Sequence, residues 1–295
     1  MGVDLEEKMK LLVSDIINMA TKQLQEAGIE NAKGEAEQIY CHMKNYNRTQ
    51  FFCKWSKEAG EIEMENYFNL IDERRKRRPL QHILGETEFM GYPFVVKENV
   101  LIPRMDTEVV VAEALNHISN KDSILDLCCG SGIIGISMVK CAAEKGINLK
   151  LTSIDVSDDA IALTKENAAL NKVKLDVIKS NLFDGVKRKK YNMIISNPPY
   201  IKSQVIPTLD IEVREYDPML ALDGGEDGLV FYRQIVDEAP EHLKKGGYLI
   251  FEIGHDQGME VAQLMKAGGA FENIEISKDL AGNDRIVKGQ LKGKK

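Results

Sequence analysis

Between residues 5 and 70 the apolar positions recur at helical spacing, with almost no strand-like alternation. Leu11, Leu12, Ile16, Ile17, Met19 and Ala20 make one apolar face, and Gly28 marks the end of that helix. A second helix is expected from about Lys33 to His42 and a third from about Ser56 to Leu70, with Thr49-Gln50-Phe51-Phe52 as an apolar connector. Two short β-prone runs then flank Gly91 within Glu88–Val96 and suggest a hairpin. Asp106-Thr107 reads as the cap of a helix running to about Ile118.

From Ser123 the pattern becomes strand, turn, helix, repeated. Ile124–Cys129, Leu149–Val156, Lys174–Ile178, Tyr191–Ser196 and Gly246–Ile253 read as buried strands, with helices expected over Ile133–Lys145, Ser157–Asn171 and Asp256–Ala267. Such alternation argues a parallel sheet covered on both faces. The tail supplies two more β-prone runs, Phe271–Ile276 and Asp284–Lys288, close enough in sequence to pair antiparallel. The expected organisation is a helical amino-terminal recognition domain over 1–84, a hairpin linker over 85–104, and an α/β domain with a seven-stranded, mostly parallel sheet over 105–295.

One strand ends in a way the pattern alone does not explain. Met193-Ile194-Ile195-Ser196 runs into Asn197-Pro198-Pro199-Tyr200. Two prolines stop the ladder and hold the exit loop near one extended shape. A rigid loop at the carboxyl end of a strand is where open α/β sheets bind ligands. Asn brings an acceptor and two donors and Tyr a flat π-face, so together they suit a planar group carrying an NH2: an amide or a nucleobase edge.

The glycine turn supplies a neighbour for that group. Asp126-Leu127-Cys128-Cys129-Gly130-Ser131-Gly132 ends the first strand of the α/β part, and Asp155 ends the next. Glycines admit close backbone approach, and a carboxylate there can accept both hydroxyl protons of a ribose. Gly130-Ser131-Gly132-Ile133-Ile134-Gly135 formally satisfies the dinucleotide string GxGxxG, a weak signal by itself. Asp126 stands where an amino-acid ammonium can be paired, and the antiparallel tail departs from a further βαβ unit. Both features tilt away from a nicotinamide, and both resemble the class I methyltransferase fold, in which S-adenosylmethionine crosses the strand ends.

Composition narrows the classes. A hydrophobic content of 43% supports a full core over 295 residues. A net charge of −7 argues against a partner held mainly through phosphates, so no stable nucleic-acid binding is expected. The five cysteines (Cys41, Cys53, Cys128, Cys129 and Cys141) form no CxxC pair, which indicates neither a zinc site nor a disulfide framework and fits reduced thiols in the cytoplasm. The first residues hold early acids and no apolar core of signal-peptide length, and no run approaches a membrane span. The basic run Arg74-Arg75-Lys76-Arg77-Arg78 reads as a solvated face.

With these strings assembled, the chain resembles the HemK/PrmC family, the N5-glutamine methyltransferases of peptide chain release factors. The resemblance runs from about Pro79 to Gly289. It is carried by Pro79-Leu-Gln-His-Ile-Leu-Gly85, Leu101-Ile-Pro-Arg104 with Asp106-Thr-Glu108, the glycine turn, Ile195–Ile201, Ala221-Leu-Asp-Gly-Gly-Glu-Asp-Gly-Leu229, Glu252-Ile-Gly254 and Gly282-Asn-Asp-Arg285. It implies the class I S-adenosylmethionine-dependent methyltransferase fold, Rossmann-like with an antiparallel last strand, and a monomer acting on release factors. It implies a cofactor site over Asp126, Cys128, Cys129, Gly130, Ser131, Gly132, Asp155, Asn181, Leu182 and Asn197. The substrate site falls on Asn197, Pro198, Pro199 and Tyr200, with Asn197, Pro198 and Tyr200 catalytic and S-adenosyl-L-homocysteine as product. Departures are Cys128 and Cys129 for a glycine and a small residue, Asn181 for an acid, Leu182 for an aromatic and Met105 for a proline. The alternatives are a methyltransferase for a ribosomal-protein glutamine or a nucleic-acid exocyclic amine, a nicotinamide dehydrogenase, and a silent binding module.

Overall fold

The structure, a computed structural model, describes residues 11–187 and 189–293. The amino-terminal decapeptide, in which no apolar core of signal-peptide length was expected, and the last two lysines of the tail lie outside the described residues. The chain forms two compact units, 1–85 and 86–295. Among the described residues no helix is long and apolar enough to cross a membrane.

The first unit contains α1 (Val13–Glu26), α2 (Ala32–Lys44), α3 (Arg48–Lys54), α4 (Glu61–Arg75) and α5 (Leu80–Leu84). In α1, Ile16, Ile17, Ala20 and Leu24 are buried at helical spacing, while Met19, expected on that face, is 45% exposed. The connector expected at 49–52 is instead α3. Asn47 and Gln50 cap its start reciprocally, each side chain accepting the other's backbone N–H at 2.9 Å, which offsets two orphan donors of the first turn. The third expected helix begins at Glu61 rather than near Ser56. Tyr40, Phe51 and Tyr67 form the aromatic centre, and the Tyr67 hydroxyl donates to the Ala36 carbonyl at 3.0 Å. The basic run is not uniformly solvated. Arg74 is buried and bound to Glu35, and Arg77 donates to the Gly28 carbonyl at 3.1 Å, so only part of the run is a solvated face.

The second unit opens with a hairpin, β1 (Glu86–Phe89) and β2 (Tyr92–Val95), turned by Met90 and Gly91, both at positive φ. Phe89 and Phe94 are fully buried in one of the unit's cores, so the hairpin is built into this unit. There follow α6 (Glu108–Ala114), β3 (Ser123–Leu127), α7 (Ile133–Glu144), β4 (Lys150–Asp155), α8 (Asp158–Leu170), β5 (Leu175–Lys179) and β6 (Tyr191–Ser196). After these come α9 (Ile211–Arg214), α10 (Met219–Leu222), α11 (Val230–His242), β7 (Leu243–Glu252), α12 (Gly258–Ala267), β8 (Phe271–Lys278) and β9 (Asp284–Leu291). The strand order is β5-β4-β3-β6-β7-β9-β8, parallel through β7, with β9 antiparallel to both its neighbours. The expected seven-stranded sheet with its antiparallel last strand is borne out.

Period-two alternation assigns the two faces. Leu125, Leu127, Ile194, Leu249 and Phe251 point to one core with Tyr232 and Ile235 of α11. Ile124, Met193, Ile195 and Ile250 point to the other, with Val110 of α6 and Ile136 of α7. The chain reverses its direction of travel across the sheet between β3 and β6, and that switch point opens a crevice at the carboxyl ends of the strands. The expected cap at Asp106-Thr107 is corrected here: a 3-10 turn, Met105–Thr107, precedes α6, and the Thr107 side chain makes no cap bond.

Candidate functional site

The crevice holds a cleft of about 220 Å3. Its floor is the turn after β3. Cys128, Gly130 and Gly132 all take positive φ (61°, 54° and 79°), which alternates the backbone sharply before α7 begins. For a cysteine this conformation costs about 1–2 kcal/mol, strain held at the wall that a ligand meets. The turn is pinned from three sides: the Cys129 N–H donates to the Ile154 carbonyl at 2.9 Å, the Thr164 hydroxyl to the Gly130 carbonyl at 2.9 Å, and Asn167 Nδ2 to the Ser131 carbonyl at 3.0 Å.

Asp155 closes the end of β4. Its Oδ2 accepts the Gly130 N–H at 2.9 Å and its Oδ1 the Ser157 N–H at 3.0 Å, while burial raises its pKa. Each oxygen keeps a further lone pair for a hydroxyl. Apolar Ile154, Leu182, Pro218, Leu220 and Phe231 line much of the rest, a slot suited to a flat ring.

Of the residues singled out in the sequence, Cys128, Gly130, Asp155, Asn181, Leu182, Asn197 and Pro199 line this cleft together. Asp126, Cys129, Ser131, Gly132, Pro198 and Tyr200 do not. Cys129 and Ser131 are buried behind the turn, the former with its thiol 3.4 Å from the Thr164 hydroxyl. Asp126 is fully buried, its Oδ2 accepting the Gly135 N–H at 3.1 Å and its Oδ1 without a partner among the described residues. Tyr200 is half-buried against the α11 core, its hydroxyl pushed up to about 12 first by burial and then by Glu252.

Burial also pushes the Asp126 carboxyl up to about 7, and Asp155 adds to the shift. The folded state therefore holds this proton between the ordinary aspartate range and about pH 7, where the unfolded chain has lost it. Stability falls as pH rises through that window, by about 4 kcal/mol in the limit of a shift from 3.8 to 7. Asp126→Asn keeps an oxygen for Gly135 and removes the titration. Thermal unfolding should show the variant gaining on the parent protein between pH 5 and pH 8. A gap that stays constant with pH would refute the assignment.

Sequence reasoning missed the wall formed by Pro218, Leu220 and Ala221 and how it is held. Asp217, buried, accepts the Ile102 N–H at 3.3 Å and pairs with Arg104, tying that wall to the loop carrying Val100 and Leu101. Glu252 enters the sequence reading only within the Glu252-Ile-Gly254 string, with no role of its own; it is 2% exposed at the end of β7, and burial pushes its carboxyl up to about 7. The available signal was an acid inside the apolar run Tyr248-Leu-Ile-Phe-Glu-Ile.

The loop 223–228 has a definite place. Ile201 N–H donates to the Leu222 carbonyl at 2.9 Å and Gly224 N–H to the Ile201 carbonyl at 2.8 Å. Gln257 Nε2 donates to the carbonyls of Tyr200 (3.0 Å) and Gly228 (3.2 Å). The Asp-Gly-Gly string is thus the backing plate of the Asn-Pro-Pro-Tyr loop.

Comparison with known proteins agrees with this architecture. Residues 105–212 match the Methyltransferase small domain model and residues 15–85 the PrmC N-terminal domain model. A methyltransferase from Pyrococcus furiosus superposes with a TM-score of 0.51 at 17% identity, covering 70% of this chain and 91% of that one, a likeness of fold. The Release factor glutamine methyltransferase of Clostridium botulinum is 38% identical over 95% of this chain and 99% of its own length. That of Geobacter sulfurreducens is 37% identical over 95% and 96%. With a shared sheet, a shared amino-terminal unit and similarity along nearly the whole length, the chain belongs to the release factor glutamine methyltransferase family.

Proposed function

We propose that the protein transfers a methyl group from S-adenosylmethionine to the side-chain amide nitrogen of the glutamine in the Gly-Gly-Gln loop of peptide chain release factors, acting as a monomer in the cytoplasm. The observation that carries the reading is Asn197, delivered by β6 to the same cleft as Asp155 and Gly130, in a chain similar over nearly its full length to such enzymes.

The cleft fits the cofactor by its donor set. Asp155 offers carboxylate lone pairs to a ribose, Leu182 and Phe231 offer apolar faces to a purine, and the exposed Asn181 offers its carbonyl to an amino group. Asp126, outside the cleft lining and with Oδ1 unpartnered among the described residues, would ionise against an ammonium brought near it. When bound, the cofactor supplies a methyl on a sulfonium sulfur.

An amide nitrogen is a poor nucleophile because its lone pair is delocalised into the carbonyl. Asn197 Oδ1 and the Pro198 carbonyl each accept one N–H, leaving the third direction open and drawing nitrogen toward a tetrahedral shape. The same acceptors stabilise the positive charge that develops on nitrogen as the N–CH3 bond forms and the S–CH3 bond breaks, and one N–H proton is then released to water to leave the neutral N-methyl amide. Such positioning supplies roughly 7–11 kcal/mol of barrier reduction in favourable systems. Tyr200, beside the cleft rather than in its lining, would turn its ring toward the flat amide once substrate is bound.

The test is transfer of labelled methyl to purified release factors with the Gly-Gly-Gln glutamine intact or replaced. Labelling of the intact factor alone is expected. Labelling that persists after replacement would move the assignment to another residue, and labelling of nucleic acid or ribosomal protein instead would move it to another substrate class.

A further inference from the structure

Glu252 is a buried acid at the end of β7, next to the apolar Leu249, Ile250, Phe251 and Ile253. β6 and β7 run parallel with Ser196 opposite Phe251, so the next step of the register sets Asn197 beside Glu252. Alternation agrees: Met193 and Ile195 point to the α6 and α7 side of the sheet, as does Ile250, and the same period puts Asn197 and Glu252 there. The Asn197 side chain and Thr107 lie near enough to the carboxyl to favour its charged form, against the burial that raises its pKa. Oε2 is buried with no partner among the described residues. The charged and titratable groups facing it are Arg285 from β9, Asp106 from the turn before α6, Tyr200 from the loop, and Tyr232 of α11, whose hydroxyl donates to the Glu252 backbone carbonyl at 2.9 Å. Arg285 is itself held by Asp279 at 3.0 Å and Asp106 at 3.3 Å, so its charge is shared.

We infer that Glu252 is a positioning residue for Asn197: its carboxylate accepts the Asn197 Nδ2–H and thereby fixes the amide with Oδ1 toward the substrate nitrogen. This rests on the glutamine-amide reading of the loop. The two ends of a primary amide are nearly the same size and opposite in polarity. A flipped Asn197 presents N–H to an N–H and loses the acceptor on which the chemistry depends. A neighbour that only accepts, as a carboxylate does, removes the flipped state. It also polarises Oδ1 through the amide, strengthening the bond made at the other end. Protonation gives the carboxyl a donor of its own and abolishes the discrimination, so the competent form is the ionised one.

The experiment uses the full chain with a Gly-Gly-Gln peptide and S-adenosylmethionine, comparing the parent protein with Glu252→Gln, a change of nearly equal volume that keeps the fold. Loss of a charge-assisted bond predicts a fall in kcat of about ten- to a hundredfold, with KM for the peptide and Kd for the cofactor little changed. Parent kcat/KM should rise with pH through about 7, following the ionisation of Glu252 in the free enzyme, and that limb should be absent in the variant. A second readout needs no turnover. The Asn197 side-chain NH2 resonances, assigned by their loss in Asn197→Ala, should shift with a midpoint near 7 in the parent and stay fixed in Glu252→Gln. Unchanged kcat in the variant, or Asn197 resonances that do not respond to pH, would overturn the inference. Should the parent transfer no methyl to the peptide, the substrate reading falls while the amide titration still decides the contact.

Discussion

Asn197→Ala is expected to lower kcat by about a hundredfold or more, the loss seen when one preorganised hydrogen-bonding group is removed from a reacting centre. Cofactor affinity should change far less, because Asp155, Leu182 and the 128–132 turn are untouched. The methyl side chain leaves the Pro198 carbonyl as the single acceptor of the pair, and the substrate amide is then free to rotate out of line. Asn197→Asp sharpens the argument. It retains an oxygen acceptor of similar reach but sets a second carboxyl beside Glu252, and two carboxyls that close share a proton. One of the pair then donates rather than accepts, so Asp is expected to rescue little. Single-turnover methyl transfer, with the cofactor Kd measured separately by calorimetry, checks both variants. Near-normal turnover in Asn197→Ala would sink the proposed role of its oxygen.

What the sequence revealed of this site follows from which forces act locally. The turn at 128–132 was legible because positive φ favours glycine, and Asp155 because an acid at the end of an apolar strand stands out. The strand before Asn197 announced itself by two prolines. The far wall of the cleft could not be read, because Pro218, Leu220 and Ala221 come from a stretch whose shape is set by Asp217 reaching Ile102 and Arg104, partners more than a hundred positions away. α11 went unread although Tyr232, Ile235, Val236 and Ala239 carry its period. Pro240 lies inside it and a glycine-rich loop precedes it, so breaker signals outweighed the apolar face. Asp106 and Thr107 carry the residue types of a cap, but tertiary partners claimed both: Asp106 pairs with Arg285 and Thr107 lies against Glu252. Local propensity proposed the cap, and longer-range charge decided otherwise.

Gly224→Val should disable the enzyme from outside the cleft. Gly224 does not line the cleft, yet a Cβ added there would lie 2.7 Å from Tyr200 Cα, 2.8 Å from its carbonyl carbon and 2.9 Å from the Pro199 carbonyl oxygen. All three are backbone atoms of the loop that presents Asn197, and no side-chain rotation can relieve the overlap. Gly224 cannot retreat easily, since its N–H is bonded to the Ile201 carbonyl and its carbonyl accepts the Val230 N–H at 3.2 Å. The Asn-Pro-Pro-Tyr loop must therefore shift, and a displacement of about 1 Å at a reacting centre costs on the order of a hundredfold in rate. Valine demands more room than alanine, so kcat should fall in the order glycine, alanine, valine, while cofactor affinity is largely kept because Asp155 and the glycine turn lie on other strands. Lower kcat with retained cofactor binding separates a displaced loop from a damaged fold. If Gly224→Val turns over at the parent rate, the close packing of residues 223–228 on Tyr200 does not set the position of Asn197.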